Sequence, residues 1–115
     1  MNAQEIFDKV VAHLAKQGHR AIGTGGGCMY LAPNGDMCAV GCLLGDTYDP
    51  KMEGAGVEAL VSKYKWPFGQ HVKLLYGLQL AHDAALTLNQ LQGFLAETAA
   101  NFNLNFDRAA ITNWH

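Results

Sequence analysis

An Asn34-Gly35 pair separates two short apolar runs, CMYL at residues 28–31 and MCAV at residues 37–40. Asn-Gly suits the tight two-residue turn whose twist matches a pair of antiparallel strands, because both residues tolerate positive φ. The pair therefore predicts a β-hairpin over residues 28–40. A two-stranded hairpin is only marginally stable in water, so this one has to pack on helices or pair with a second copy.

The rest of the chain reads as helix. Asn2 and Glu5 have capping-box spacing, and Ile6, Phe7, Val10, Val11 and Leu14 recur at helical intervals before Gly18. Asp49-Pro50 has the form of an N-cap followed by proline at the first helical position, though Gly54 and Gly56 interrupt at once. Val57, Leu60, Val61 and Tyr64 then mark a short helix that KWPFG breaks. A further helix is predicted from about Gln70 to Ala81, burying Val72, Leu75 and Leu78 or the neighbouring stripe of Leu74 and Leu78. Thr87 and Gln90 form a second capping box, opening a helix with Leu88, Leu91, Leu95, Ala99 and Phe102 on one face. Asp107 is placed to cap a last short helix ending near Trp114. Helix, hairpin and four helices make a mostly helical α+β fold, in one domain spanning residues 1–115.

Composition narrows the function classes. Half of the residues are hydrophobic, 16% are charged and the net charge is −2, a thin charged surface that favours a homo-oligomer. The eight basic residues are scattered, which argues against the convergent phosphate contacts that duplex nucleic acid needs. No apolar run approaches the ~20 residues of a membrane span. Met1–Glu5 lacks the basic and apolar regions of a signal peptide. With an odd number of cysteines, three, this predicts free thiols in a reducing cytoplasm.

Residues 27–54 and 78–83, with the runs CAVGCLLGDTYDPKMEG and LQLAHD, resemble a group of small proteins encoded by bacteriophages and prophages. The matching positions are Cys28, Tyr30, Cys38, Gly41, Asp46, Tyr48, Asp49, Pro50, Glu53, Gly54, His82 and Asp83. The resemblance implies a setting rather than a mechanism: a small accessory protein in the host cytoplasm that binds and blocks a host defence component or its nucleotide signal.

Four constellations carry chemistry. Cys38 and Cys42, with Cys28 and His82, contain the donors of a Cys₃His zinc site, but only one closely spaced cysteine pair is present. Buried free thiols are the plainer account. Second, Cys38 at a helix start, with His82 as base and Asp83 or Asp46 as orienter, would make a cysteine-dependent hydrolase; His71 and His13 are other bases. The apolar run MCAVGCLL argues instead for a buried elbow. Third, the glycines of GTGGGC can turn successive amides toward one anion, beside His19, Arg20 and Tyr30, although they match neither a Walker nor a Rossmann loop. A mobile loop is the alternative. Fourth, Asp46, Tyr48, Asp49, Glu53 and Glu58 are oxygen ligands for a divalent cation, against the simpler account of capping by Asp49 and solvation of the rest. Trp66, Phe68, Phe106 and Trp114 are expected as lids on the core or as an oligomer contact.

The sequence thus predicts a binding protein without cofactor or metal. It would hold a phosphate-bearing small molecule through Arg20, Gly25, Gly26, Tyr30, Asp46, Tyr48 and His82. The alternatives are a hydrolase using Cys38 and His82, and a protein–protein inhibitor without a small ligand.

Overall fold

The structure, a computed structural model, describes residues 1–115. Five α-helices carry the fold: α1 (Ala3–Gln17), α2 (Gly41–Leu44), α3 (Val57–Lys63), α4 (Val72–Ala84) and α5 (Leu88–Asn101), with short 3₁₀ turns between and after them. Local chemistry sets most of their ends. Asn2 accepts from the Glu5 amide while the Glu5 side chain accepts from the Asn2 amide, the full capping box. Gly18 closes α1 at φ 76°, a left-handed conformation that suits glycine. Asp49 accepts from the Lys51 amide at the 3₁₀ turn Pro50–Met52. Thr87 accepts from the Gln90 amide at the start of α5, but Gln90 reaches back to the Leu86 amide rather than to Thr87, so this capping box is only half made. Asp107 caps a 3₁₀ turn that ends at Ala110, short of Trp114.

The core is continuous. Ile6, Phe7, Val10 and Leu14 of α1 meet Leu74, Leu75 and Leu78 of α4 and Leu91 and Leu95 of α5 in one apolar cluster. Both stripes considered for α4 therefore contribute, since Leu74 and Leu75 are each buried. Trp66 and Trp114 are buried, Trp66 edge-on to Phe68, and Phe106 packs edge-on to Phe7, so these aromatics close the core within one chain.

The expected α+β class is overturned: the fold is all-α, with no β-strand. The chain does turn at Asn34-Gly35, but through a three-residue loop rather than a two-residue one: Gly35 alone has positive φ, 92°, its amide donates to the Ala32 carbonyl, and the Ala32 amide donates to the Asp36 carbonyl. Pairing then stops at the isolated bridge Leu31–Met37. The physical reason is competition for backbone groups. The Tyr30 and Leu31 amides donate to the Glu53 carboxylate, and the Met37 amide donates to Gln17 Oε1. The Met37 carbonyl accepts from His13 Nε2 and Gln17 Nε2. The Tyr30 amide, which a longer ladder would pair with the Cys38 carbonyl, is taken by Glu53, and that carbonyl accepts from the Cys42 amide as α2 begins. The Leu31 and Met37 groups face away from the partner run and anchor the turn to Glu53 and α1.

Candidate functional site

The α4 helix presents two unlike faces. Leu74, Leu75, Leu78, Ala81 and His82 point inward, while Tyr76, Gln79 and Asp83 share the opposite side at helical spacing. Across from that polar stripe runs the 53–57 segment, where Gly54 (φ 82°) and Gly56 permit a tight path before α3 begins. Between them lies a cleft of about 250 Å³, lined by Cys28, Tyr30, Glu53, Tyr76, Gln79 and Asp83 together with residues 54–57.

Its walls are held by side-chain bonds. Glu53 Oε1 accepts from the Tyr30 amide at 2.9 Å; Oε2 accepts from the Leu31 amide at 3.0 Å and from the Tyr48 hydroxyl at 2.7 Å. The Tyr30 hydroxyl donates to the Ala55 carbonyl, fixing the 53–57 segment to the hairpin turn. On the opposite wall Gln79 Nε2 donates to Asp83 Oδ1 at 2.8 Å, and Gln79 Oε1 accepts from the Val40 amide at 3.0 Å.

His82 is fully buried behind this wall, and both of its ring nitrogens are engaged. The Ala21 amide donates to Nε2 at 3.0 Å, so the ring proton sits on Nδ1, which donates to Asp83 Oδ1 at 2.6 Å. His82 thereby ties the cleft wall to the segment that enters the glycine loop. Asp83 remains 40% exposed; its Oδ1 takes both of these bonds and Oδ2 takes neither. Arg20 Nη1 reaches the Asp83 carbonyl at 3.4 Å. Burial, then the Asp83 carboxylate, push the Cys28 thiol up, with the Arg20 guanidinium opposing them.

Cys28, His82 and Asp83 bring one thiol, one ring nitrogen and one carboxylate oxygen within 4.8 Å of one another. This is the only trio of such donors close enough to share an ion. The donor set does not fit a metal, because a ring whose Nε2 lone pair faces the Ala21 amide carries a proton on Nδ1, the nitrogen that would have to coordinate. Arg20 already provides the positive charge beside Asp83.

The residues expected to form a site separate into two groups. Arg20, Tyr30 and His82 gather at the cleft or directly behind it. Tyr48 touches it through Glu53 alone. Gly25 and Gly26 stand at the exposed end of their loop, where the Gly23 and Gly26 amides are bonded to loop carbonyls rather than turned toward an anion. Asp46 is exposed in the 3₁₀ turn Gly45–Thr47 and does not line the cleft. The acidic segment does not converge on a cation: Asp49 caps a turn and Glu53 binds amides.

Cys38 is completely buried, and its Sγ accepts from the Gly41 amide at 3.2 Å. Burial pushes its thiol up to about 12, and neither nitrogen of His82 is left to serve as its base. Cys42 is likewise pushed up by burial to about 11, and its thiol donates to the Ala39 carbonyl. Gln79 and Tyr76 carry no expectation from the sequence, and Cys28 and Glu53 are expected only as candidate metal ligands and as positions shared with the phage-encoded group. The signal was present: Tyr76, Gln79 and Asp83 recur at steps of three and four, with Lys73 three positions before Tyr76, among the leucines of the helix.

Comparison with protein-family models, with curated proteins and with solved structures returns no match. No helix is long and apolar enough to cross a membrane.

Proposed function

We propose that this protein acts by binding: it holds a nucleotide-like small molecule by its nitrogenous head in the cleft between residues 53–57 and α4. By doing so it withholds that molecule from a receptor in the host cytoplasm. The observation that carries this reading is Asp83. Its carboxylate is pinned through one oxygen by His82 and Gln79, while the side chain stays 40% exposed at the cleft wall. A preorganised acceptor of this kind suits an N–H donor, because the ordering cost has been met before the ligand arrives. Tyr30 and Tyr76 are the aromatic residues of its lining, Tyr76 being half exposed.

The charge of the cleft decides which end of the ligand enters. Glu53 and Asp83 both line it, with the single Arg20 guanidinium beside Asp83, so a phosphate would meet two carboxylates against one cation. The amino- or imino-bearing head is the better match, with any phosphate directed outward. Resemblance to small phage-encoded proteins supports sequestration of a signal as the setting. The cysteine-hydrolase alternative draws no support from the geometry around Cys38, given its burial and the occupied nitrogens of His82.

The test is capture and release. The protein is mixed with nucleosides and nucleotides, separated from the excess, and the retained small molecules are analysed before and after heat denaturation. Intact ligand released by heat is expected. Asp83→Asn, which keeps the side chain's shape, should weaken retention about tenfold, the size expected for one charge-assisted hydrogen bond. Retention of nothing by the native protein, or unchanged retention by Asp83→Asn, would refute the reading. Chemically altered ligand would place the protein among enzymes.

A further inference from the structure

A second cavity, of about 380 Å³, shares one lining residue with the first, Tyr76. Its other walls include Ala3, Val72, Leu74 and Phe102, with Lys73 and His71 at the start of α4 and Glu58 from α3. Tyr76 is 50% exposed, high for a large aromatic, and stands at the boundary between the two cavities. A methyl group added at Gly56 would lie 4.0 Å from its hydroxyl, so the 53–57 segment passes near the ring's polar end.

The polarity of α4 follows the same axis. Lys73, Tyr76, Gln79 and Asp83 lie on the outward side of the helix, together with exposed Leu80, while Leu74, Leu75 and Leu78 are buried. Ten residues separate Lys73 from Asp83, which is roughly 15 Å along the helix. One end of this strip carries a carboxylate that accepts N–H donors, the other an exposed ammonium, and an aromatic ring stands between. The first cavity disfavours an anion through Glu53 and Asp83. The second offers Lys73 and His71 on its α4 wall, with its one carboxylate, Glu58, contributed by α3.

We infer that the two cavities form one bipartite site for a nucleoside phosphate, lying along α4 with its base beside Asp83, its sugar across Tyr76 and its phosphate at Lys73. This rests on the binding reading above and extends it by placing the anionic end of the ligand. The glycine loop has no part in it, since its Gly23 and Gly26 amides are bonded within the loop. Neither a free base nor inorganic phosphate would engage both ends.

Calorimetric titration of adenosine, guanosine and cytidine, each alongside its 5′-monophosphate, separates this inference from the reading beneath it. For whichever nucleoside binds, the monophosphate should bind about tenfold more tightly. Lys73→Ala, at an exposed position, should remove that advantage while leaving nucleoside affinity unchanged, and Lys73→Glu should turn it into a penalty. Asp83→Asn should weaken nucleoside and monophosphate alike. A nucleoside that binds with no gain from its phosphate, or a gain that survives Lys73→Ala, would overturn the bipartite site and leave the cleft reading intact. Failure of every nucleoside and nucleotide to bind would overturn both.

Discussion

Gly41 shows how a single missing side chain can set the path of the chain. A Cβ there would lie 1.9 Å from the Tyr30 carbonyl oxygen and 2.7 Å from its carbon, and neither backbone atom can swing aside as a side-chain tip would. The first turn of α2 therefore rests directly on the hairpin segment, where Cys38 and Tyr30 are both buried. Gly93 is the contrast: it lies inside α5, and a Cβ built there meets nothing within 4 Å. Gly41→Ala is expected to destabilise the fold by about 2 kcal/mol or more, as overpacking does. Gly93→Ala should stabilise it by about 1 kcal/mol through helix propensity. Urea unfolding midpoints measure both, and an undiminished midpoint for Gly41→Ala would mean that the close approach to Tyr30 is not maintained in solution.

Among the elements, the segment joining Gly18 to Gly41 depends most on contacts made far along the chain. Glu53 holds it through two successive amides and also binds the Tyr48 hydroxyl. Glu53→Gln offers one acceptor oxygen and places an N–H₂ group where an acceptor is required. The expected cost is about 2 kcal/mol, with faster hydrogen exchange at the Tyr30 and Leu31 amides. Unchanged protection at those two amides would show that the segment is held by its turn alone. The same bond explains why the Asn34-Gly35 turn was legible and the strands were not. Turn chemistry is local to a few residues, whereas continued pairing needs the Tyr30 amide and the Cys38 carbonyl, which Glu53 and the Cys42 amide take instead. Asp83 and His82 follow a similar pattern. Their adjacency was visible and suggested a base with its orienter, but the Ala21 amide directs the ring to a structural role.

For the whole molecule, buried proton-bearing groups tie stability to alkaline pH. Burial raises Cys38 from 9.0 to about 12 and Cys42 from 9.0 to about 11, and is also the leading cause that takes Tyr30 from 10.0 to about 12. In each case the folded protein keeps a proton that the unfolded chain gives up at lower pH. The associated stability is therefore complete below about pH 9 and is lost progressively from there to about pH 12. The thermal midpoint should fall steadily above about pH 9, and Cys38→Ala should make that decline shallower. A midpoint indifferent to pH over this range would show that Cys38 is not buried in solution.

What the sequence determined by itself was local: the Asn2–Glu5 box, Gly18 at the end of α1, the Asn34-Gly35 turn, the caps at Asp49, Thr87 and Asp107, and the apolar faces of the long helices. Each depends on groups within about one turn of one another, so spacing alone reveals it. The tertiary structure decided the rest. It replaced the expected α+β sheet with an all-α fold because Glu53, 23 positions away, captured the Tyr30 amide and the start of α2 captured the Cys38 carbonyl. It also brought Asp83, Gln79 and Tyr76 of α4 to one cleft with Cys28, Tyr30 and Glu53, a cleft that Gly25, Gly26 and Asp46 do not line. Hydrogen-bond partners chosen across such separations depend on how the helices pack, and neither composition nor periodicity encodes that choice.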